Sequence, residues 1–313
     1  MSTENAIEPF ELNIDLDPVL SIKGLHKKYG KIHAVNNLSF EIKKGNVFGI
    51  LGPNGSGKTT TLGIILGVLN ADKGQFRWFG NKNSKEDRKR IGAILEQPLF
   101  YPYLTAEKNL MIVAKIKGVD VQDIDRVLKV VDLYERRKSK FRTFSYGMKQ
   151  RLAIASALLG SPEILIFDEP TNGLDPTGIA EIRELIIKIA KGGVTIILAS
   201  HLLDEVQKTC SHVIVLKNGE RLFSGRVKEV LSVSDTIEIM TDDPEKLNQV
   251  LNKFNKVIEI TKDNELFVIK LAEGMTAKGL NSHLIGKGIV LSHLAMRKKS
   301  LEQQFLELLT ANK

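Results

Sequence analysis

Gly52-Pro53-Asn54-Gly55-Ser56-Gly57-Lys58-Thr59-Thr60 is the stretch that decides the fold. It matches the G-x-x-x-x-G-K-[ST] phosphate-loop pattern at every specified position. Residues 46–51 precede it as a predicted buried strand, and residues 60–69 follow it with an apolar helical face. In this order of strand, loop and helix, inward-pointing backbone N–H groups and the positive end of the helix form a cradle for polyphosphate. A glycine-rich turn that fits by chance is the alternative.

The polar residues of this loop have predicted roles. Lys58 would reach the outer phosphates of a nucleotide, and the Thr59 hydroxyl would hold a magnesium ion. The predicted nucleotide-binding residues of the loop are Gly52, Pro53, Asn54, Gly55, Ser56, Gly57, Lys58, Thr59 and Thr60. Tyr29 lies between two predicted strands, where an aromatic ring suits either stacking on adenine or partly buried packing.

A second motif narrows the class of nucleotide-binding protein. Ile164-Leu165-Ile166-Phe167-Asp168-Glu169 reads as a buried strand that ends in two acids. Side chains alternate along a strand, so the acids can divide the work. Asp168 would face the magnesium shell and Glu169 the water that attacks the γ-phosphate. The alternative is that the two acids cap a helix, and the upstream phosphate loop argues against it.

Three further stretches resemble the ATPases of ATP-binding cassette (ABC) transporters. Phe144-Ser145-Tyr146-Gly147-Met148-Lys149-Gln150-Arg151 resembles their signature. Glu169-Pro170-Thr171-Asn172-Gly173-Leu174-Asp175-Pro176 looks like their Walker B end and D-loop, and Ser200-His201 like their switch histidine. The resemblance covers about residues 19–226 in unbroken order. In particular, the chain is similar to the ATPase subunits of ABC-2 type exporters, including bacitracin and drug-efflux ATPases.

The resemblance implies an α/β fold, the P-loop NTPase ABC cassette, with a RecA-like core, an antiparallel β subdomain and an inserted helical subdomain. Two cassettes of this family dimerise head to tail and close each ATP between one phosphate loop and the other signature. The signature residues that would face the opposite ATP are Ser145, Tyr146, Gly147, Met148, Lys149 and Gln150. Ser145 at a helix start suits an anion site, a helix cap, or both.

The same resemblance assigns the remaining roles. Glu169, His201 and Lys58 would be catalytic, with His201 contacting the γ-phosphate. Asp175 would form part of the dimer contact, and Tyr29 would stack on adenine. The implied cofactors are ATP and Mg²⁺.

The chain departs from the family pattern at two places. Tyr146 stands at a signature position that is often glycine, while the binding residues Ser145 and Gly147 remain. In the Q-loop, Glu96 stands where many members have Gln, and Gln97 follows it. Either residue is a candidate magnesium ligand there, and the sequence leaves that choice open.

The sequence pattern predicts two domains. We expect an acidic leader over residues 1–18, an ATP-binding domain over 19–230 with a helical insert at about 98–160, and an accessory α+β domain over 234–313. The accessory region reads as strand, helix, two strands, helix and strand, with its last strand at 289–294 and a final helix from Ser300. That order matches a ferredoxin-like plan, and a regulatory or structural role is expected because no catalytic constellation appears there.

Composition limits which classes of protein and which locations remain possible. The 313 residues are 42% hydrophobic and 26% charged, which is ordinary for a globular protein. No apolar run approaches the roughly 20 residues of a membrane span, and the N-terminus does not resemble a secretory signal, so a cytosolic protein is expected. The single cysteine, Cys210, excludes an internal disulfide. The formal charge of +8 is dispersed among acids, so no nucleic-acid partner is expected.

These observations predict the ATP-hydrolysing subunit of an ABC exporter. It would act on the inner face of the cell membrane through separate transmembrane permease subunits, as a homodimer of cassettes or as a heterodimer with a second cassette. One alternative is a soluble ABC ATPase that acts on ribosomes or DNA, which the single cassette and the lack of sustained heptads disfavour. The other is a weakly hydrolysing regulatory protein, an alternative that the Glu96 departure leaves open.

Overall fold

The computed structural model describes residues 18–80, 85–95, 99–228, 235–263, 265–272 and 274–298. The chain divides into two compact units, Met1–Val227 and Lys228–Lys313. The predicted leader up to residue 17 and the predicted helix from Ser300 lie outside the described residues. None of the helices in the described part combines enough length with enough apolar character to span a bilayer.

The first unit begins with an antiparallel sheet. Its strands are β1 (Pro18–Tyr29), β2 (Ile32–Lys43) and β4 (Lys73–Trp78), in the order β2-β1-β4. Both pairings are antiparallel, and alternate side chains of β1 and β2 are buried. The alternation reflects a sheet with one covered face, as the pattern of residues 19–25 and 34–42 predicts.

The second sheet of this unit is mainly parallel. It contains β3 (Val47–Leu51), β5 (Ile91–Ile94), β6 (Ile164–Asp168), β7 (Thr195–Ser200), β8 (His212–Lys217) and β9 (Glu220–Arg226). The order is β5-β6-β7-β3-β8-β9, and only β9 runs antiparallel to its neighbour. Every residue of β3, β6 and β7 is buried. Strands covered on both faces require such continuous apolar runs.

The helices of the first unit fall into two groups. Those next to the parallel sheet are α1 (Lys58–Ile65), α6 (Pro176–Lys191) and α7 (Leu203–Thr209). Those of the predicted insert and its surroundings are α2 (Lys85–Lys89), α3 (Ala106–Lys117), α4 (Asp123–Val130) and α5 (Tyr146–Leu158). Thr105 caps α3 by accepting a hydrogen bond from the Lys108 N–H at 3.2 Å. Cys210 is buried directly after α7, and burial raises the pKa of its thiol.

The described residues of the second unit form a four-stranded antiparallel sheet and two helices. Its elements are β10 (Asp235–Met240), α8 (Pro244–Asn252), β11 (Val257–Asp263), β12 (Leu266–Leu271), α9 (Ala277–Gly286) and β13 (His293–Lys298). The strand order is β11-β12-β10-β13. A core that includes Ile237, Ile269 and Leu284 lies between the helices and the sheet.

The last strand of this unit begins later than the sequence predicts. The strand predicted at 289–294 is present, but its predicted start is wrong, because Ile289 belongs to the end of α9. Its N–H donates to the Leu284 carbonyl at 3.0 Å, and Gly288 before it has φ +70°. This left-handed helix ending turns the Ile289 side chain into the core, where it is 2% exposed. The strand therefore starts only at His293.

Trp78 joins the antiparallel sheet to the helix that follows the phosphate loop. Its side chain is fully buried, and its Nε1–H donates to the Ile65 carbonyl at the end of α1 at 2.8 Å. We expect Trp78→Phe to lower the free energy of unfolding by about 2–3 kcal/mol, because it leaves a cavity and an unpaired buried carbonyl. Denaturant unfolding followed by circular dichroism measures this. The exposed control Tyr101→Phe should change it by less than about 0.5 kcal/mol, and an equally small effect of Trp78→Phe would contradict the prediction.

Candidate functional site

Three neighbouring strands bring the predicted catalytic residues to one edge of the parallel sheet. β7 lies between β6 and β3, and all three run in the same direction. β3 leads into the phosphate loop, β6 ends at Asp168, and His201 directly follows β7. Since the carboxyl ends of parallel strands meet at one edge, segments far apart in sequence form a single site.

The phosphate loop has a conformation that depends on Gly57. This residue has φ +102° and forms the N-terminal boundary of α1. A Cβ added there would lie 2.3 Å from the Ala34 carbonyl oxygen of β2. A side chain at this position is therefore excluded both by backbone conformation and by space.

Ser56 is a buried residue of the phosphate loop. Its side chain is 2% exposed, and its hydroxyl has no hydrogen-bond partner among the described residues. Buried hydroxyl groups in proteins usually have a partner. A loop with inward polar groups at the start of α1 therefore fits a bound phosphate.

Lys58 and Thr59 connect the loop to the acids of β6. The buried Lys58 Nζ donates to the Gly52 carbonyl at 2.7 Å and to the Pro53 carbonyl at 3.3 Å. It also lies 3.4 Å from Glu169 Oε1. Thr59 Oγ1 donates to Asp168 Oδ2 at 2.7 Å. The loop and the strand end, 109 residues apart, thus meet through direct contacts.

Glu169 and His201 form the other half of the site. His201 Nδ1 lies 2.8 Å from Glu169 Oε2. The Glu169 N–H donates to the Ala199 carbonyl of β7 at 3.0 Å, and Glu169 has φ +50°. A non-glycine residue in this conformation is uncommon, and such strain tends to occur at functional sites. The carboxylate therefore lies between an imidazole and the Lys58 ammonium group.

The site residues suit magnesium with a nucleotide. Within the described part of the chain, no group of three or more His, Cys, Asp or Glu side chains is placed to hold a metal ion by itself. Mg²⁺ is usually held by one or two protein oxygen ligands together with substrate phosphates. Thr59 and Asp168 supply such oxygens beside the phosphate loop. Glu96 and Gln97, the Q-loop candidates, lie outside the described residues.

Tyr29 lies at the end of β1, opposite Ile32 of β2. Its side chain is 48% exposed, and Lys27 Nζ lies 5.6 Å from the ring centroid. Two residues beyond Ile32, β2 reaches Ala34, which packs against Gly57. The aromatic ring is thus carried by the hairpin that contacts the phosphate loop.

The predicted signature residues form the cap and the first turns of α5. Ser145 Oγ accepts a hydrogen bond from the Met148 N–H at 3.3 Å, so the predicted cap is confirmed. Tyr146 is 37% exposed and packs beside Gly173, where an added Cβ would lie 3.4 Å from a ring carbon. Lys149 Nζ lies 5.5 Å from the centroid of the Phe141 ring. Gln150 is buried, with 4% exposure.

Asp175 caps α6, and two ion pairs link this helix to its neighbours. Asp175 Oδ1 accepts from the Gly178 N–H at 2.9 Å and so caps α6, with Pro176 at the first helical position. Arg151 of α5 pairs with Glu181 of α6. Farther along the same helix, Arg183 pairs with Glu205 of α7 at 2.8 Å, and burial raises the pKa of the Glu205 carboxyl. Sequence reasoning missed both pairs, because nothing local marks partners on different helices.

The Asn218-Gly219 turn also belongs to the surroundings of the site. An Asn-Gly pair favours a tight hairpin turn, and β8 and β9 pair as antiparallel neighbours on either side of it. The Asn-Gly pair does not reveal that the Gly219 N–H donates to the Ser56 carbonyl at 3.1 Å. The parallel pairing of β8 with β3 brings the turn to the loop, and no local sequence pattern predicts this pairing.

Comparison with known proteins gives one family match and close relatives. The family described as ABC transporter matches residues 35–172. The chain is 38% identical over 303 residues to the bacitracin transport ATP-binding protein BcrA of Bacillus licheniformis, covering 94% of this chain and 98% of that protein.

Solved structures agree with this match. CbiO1 from Clostridium perfringens, described as part of an ABC transporter complex, has a TM-score of 0.64 and 29% identity, covering 76% of this chain and 96% of CbiO1. An ATP-binding cassette solved as a dimer in a post-hydrolysis state with ADP and Pi has a TM-score of 0.59 and 29% identity. That match covers 66% of this chain and 98% of the cassette.

Proposed function

The chain belongs to the ATP-binding subunits of ABC transporters, and on this premise we propose that it binds and hydrolyses ATP to drive export through separate membrane subunits. The observation that carries the proposal is the convergence of five side chains at one sheet edge. These side chains are Lys58, Thr59, Asp168, Glu169 and His201. Lys58 supplies a cation for phosphate, and Thr59 and Asp168 supply two oxygens for a metal ion. Glu169 supplies a base, and the His201 imidazole orients that base.

The proposed reaction uses the chain's own groups as follows. Lys58 exchanges the Gly52 and Pro53 carbonyls for phosphate oxygens, and backbone N–H groups of the loop hold the phosphates. Glu169 accepts a proton from the attacking water, while His201 fixes the carboxylate through Oε2. Thr59 and Asp168 would hold Mg²⁺, which supplies positive charge for the developing negative charge on the phosphates.

We infer that two copies of the cassette share each ATP. Ser145 is exposed at the start of α5, where its hydroxyl and the first N–H groups form a second anion site that the phosphate loop of another copy can meet. The roles assigned to Tyr29 on adenine and to Asp175 in the dimer contact belong to the same proposal. A heterodimer with a second cassette would use the same groups.

We propose that an exposed apolar cluster, Leu99, Tyr101 and Tyr103, contacts the membrane subunits. These side chains are 96%, 61% and 73% exposed. Their loop is fixed by buried Asn109, whose amide donates to the Tyr101 and Thr105 carbonyls at 3.1 and 3.0 Å. Asn109 also accepts from the Tyr101 N–H at 2.8 Å. A fixed loop that leaves large apolar side chains in water is typical of an interaction surface.

This cluster gives a testable prediction. Leu99→Asp combined with Tyr103→Asp should reduce co-purification with the membrane subunits by about tenfold or more, because charges replace buried apolar contacts. The basal ATPase rate of the purified chain should stay within about twofold. The matched control Ile116→Asp replaces an 81% exposed side chain on α3 and should change neither quantity. Unchanged co-purification of the double variant would remove the cluster from the interface.

We propose the following division of labour along the chain. Residues 19–230 form the ATP-binding domain, with residues 98–160 as its helical insert, and residues 234–313 form an accessory domain of regulatory or structural role. The element order βαββαβ and the sheet order β11-β12-β10-β13 support a ferredoxin-like plan for the accessory domain. The permease would hold the protein at the inner face of the cell membrane.

The proposal is tested by ATP hydrolysis of the purified chain with Mg²⁺, with EDTA, and with membranes that contain the cognate permease. We expect turnover with Mg²⁺, loss of turnover with EDTA, and a change in rate when the permease is added. A rate that the permease leaves unchanged would favour a role outside transport. A chain that binds no ATP under any of these conditions would contradict the proposal.

A further inference from the structure

The turn between β8 and β9 touches the phosphate loop from outside the nucleotide cradle. The Gly219 N–H donates to the Ser56 carbonyl at 3.1 Å. The Gly219 carbonyl accepts from the Asn36 N–H of β2 at 2.8 Å. One residue of the turn therefore links the phosphate loop to the antiparallel sheet through both of its backbone polar groups.

The hydrogen bond to Ser56 fixes the direction of the next N–H group in the loop. In a trans peptide the C=O of one residue and the N–H of the following residue point in opposite directions. The Ser56 carbonyl points to the turn, so the Gly57 N–H points to the opposite side of the peptide, away from the turn. That is the direction a phosphate-binding N–H group needs.

The turn can approach this closely only because position 219 lacks a side chain. Gly219 has φ +80°, and Asn218 before it has φ +51°. A Cβ added to Gly219 would lie 2.8 Å from the His33 carbonyl oxygen and 2.9 Å from the Ala34 carbonyl oxygen. Both obstacles are backbone atoms of β2, so the turn, the strand or the loop must move to admit it.

A side-chain contact holds the turn in place. Asn36 Nδ2 donates to Glu220 Oε1 at 2.6 Å, next to the backbone bond between Asn36 and Gly219. Removing this contact leaves every backbone group in place and adds no atoms. It therefore loosens the turn without disturbing the loop sterically.

We infer that Gly219 is a positioning residue for ATP binding, which holds the Ser56–Gly57 peptide so that the Gly57 N–H faces the phosphates. The inference rests on the proposed function, because it assumes that the loop binds the phosphates of ATP. Gly219 does not touch the nucleotide itself. It acts through the orientation of one peptide group.

The test compares two glycine variants with similar backbone strain. Gly219→Ala places a Cβ against β2, whereas Gly193→Ala introduces alanine at φ +91° with no atom within 4 Å of the new Cβ. Dissociation constants for ATP and for pyrophosphate are measured at a temperature at which wild type and both variants are fully folded. Thermal midpoints are recorded in parallel.

We expect Gly219→Ala to bind ATP and pyrophosphate about tenfold or more weakly, the effect of losing one hydrogen bond to a charged group. The affinity of Gly193→Ala for both ligands should stay within about twofold of wild type, although its alanine has a similar backbone strain. Asn36→Ala should weaken binding by about two- to fivefold, since it loosens the turn through one side-chain hydrogen bond.

The outcomes separate this inference from the proposed function. If wild type binds neither ATP nor pyrophosphate, the proposed function fails. If wild type binds and Gly219→Ala matches Gly193→Ala, the positioning role alone is overturned. If Gly219→Ala does not fold, Asn36→Ala decides, and wild-type affinity in that variant overturns the inference.

Discussion

Glu169→Gln is expected to lower the rate of ATP hydrolysis by about 10²- to 10⁴-fold, the usual contribution of a general base. Gln has nearly the same shape, and its amide oxygen can still accept a hydrogen bond from His201 Nδ1. It cannot take a proton from water at neutral pH. ATP binding should therefore stay within a few-fold of wild type, and the ATP-bound dimer should accumulate.

The measurement is single-turnover hydrolysis together with the molecular mass in the presence of ATP. The control Glu184→Gln changes an exposed carboxylate of α6 and should leave the rate within about twofold. If Glu169→Gln retains more than about a tenth of the wild-type rate, another group accepts the proton.

Lys58→Ala is expected to weaken ATP binding by about 10- to 100-fold, because charge-assisted hydrogen bonds to phosphate are lost. Hydrolysis should fall below detection, since negative charge on the phosphates increases in the transition state. The effect is large because the Lys58 ammonium group is buried inside the loop, 3.4 Å from the Glu169 carboxylate.

Equilibrium binding of a fluorescent ATP analogue and the steady-state hydrolysis rate measure these two effects. Lys191→Ala, on an exposed residue at the end of α6, is the matched control. A thermal midpoint close to wild type shows that the variant is folded. Wild-type ATP affinity in Lys58→Ala would exclude the loop as the phosphate site.

Local patterns predict most of the candidate site at the edge of the parallel sheet. The phosphate-loop pattern locates Lys58 and Thr59 because its glycines and its lysine have fixed spacing. The continuous apolar run before Asp168 predicts a strand buried on both faces, and every residue of β6 is buried. The contact between Thr59 and Asp168 follows once both segments end at the same edge of the sheet.

Contacts between distant segments could not be predicted in this way. The approach of Gly219 to Ser56 depends on the pairing of β8 with β3, and the sequence does not encode a sheet order that can be read locally. The backbone of Glu169 is another example, because its φ of +50° accompanies a hydrogen bond from its N–H to the Ala199 carbonyl of β7, a strand from a separate part of the chain.

Burial within α5 adds information that the resemblance alone does not give. Gln150 belongs to the signature, yet it is buried together with Ala153 and Ile154, which lie three and four residues later on the same face of α5. At 289–294, apolar content alone predicted a strand, although Ile289 serves the end of α9.

The most direct test of the central claim is whether two copies of this chain share each ATP. Lys58→Ala disables the phosphate loop, and Gly147→Glu places a negative charge at the signature. The nearest atom to a Cβ at Gly147 is 3.8 Å away, and an acid in the first turn suits α5, so this variant should fold. In a dimer, each ATP site would combine the phosphate loop of one copy with the signature of the other. Each variant alone should therefore be inactive, because both sites of its dimer contain a substituted residue.

Mixing the two variants should restore hydrolysis to roughly a quarter of the wild-type rate, because half of the dimers contain both variants and each of these has one intact site. Wild type at the same total concentration is the reference. A mixture as inactive as its components would contradict a site shared between two copies of this chain.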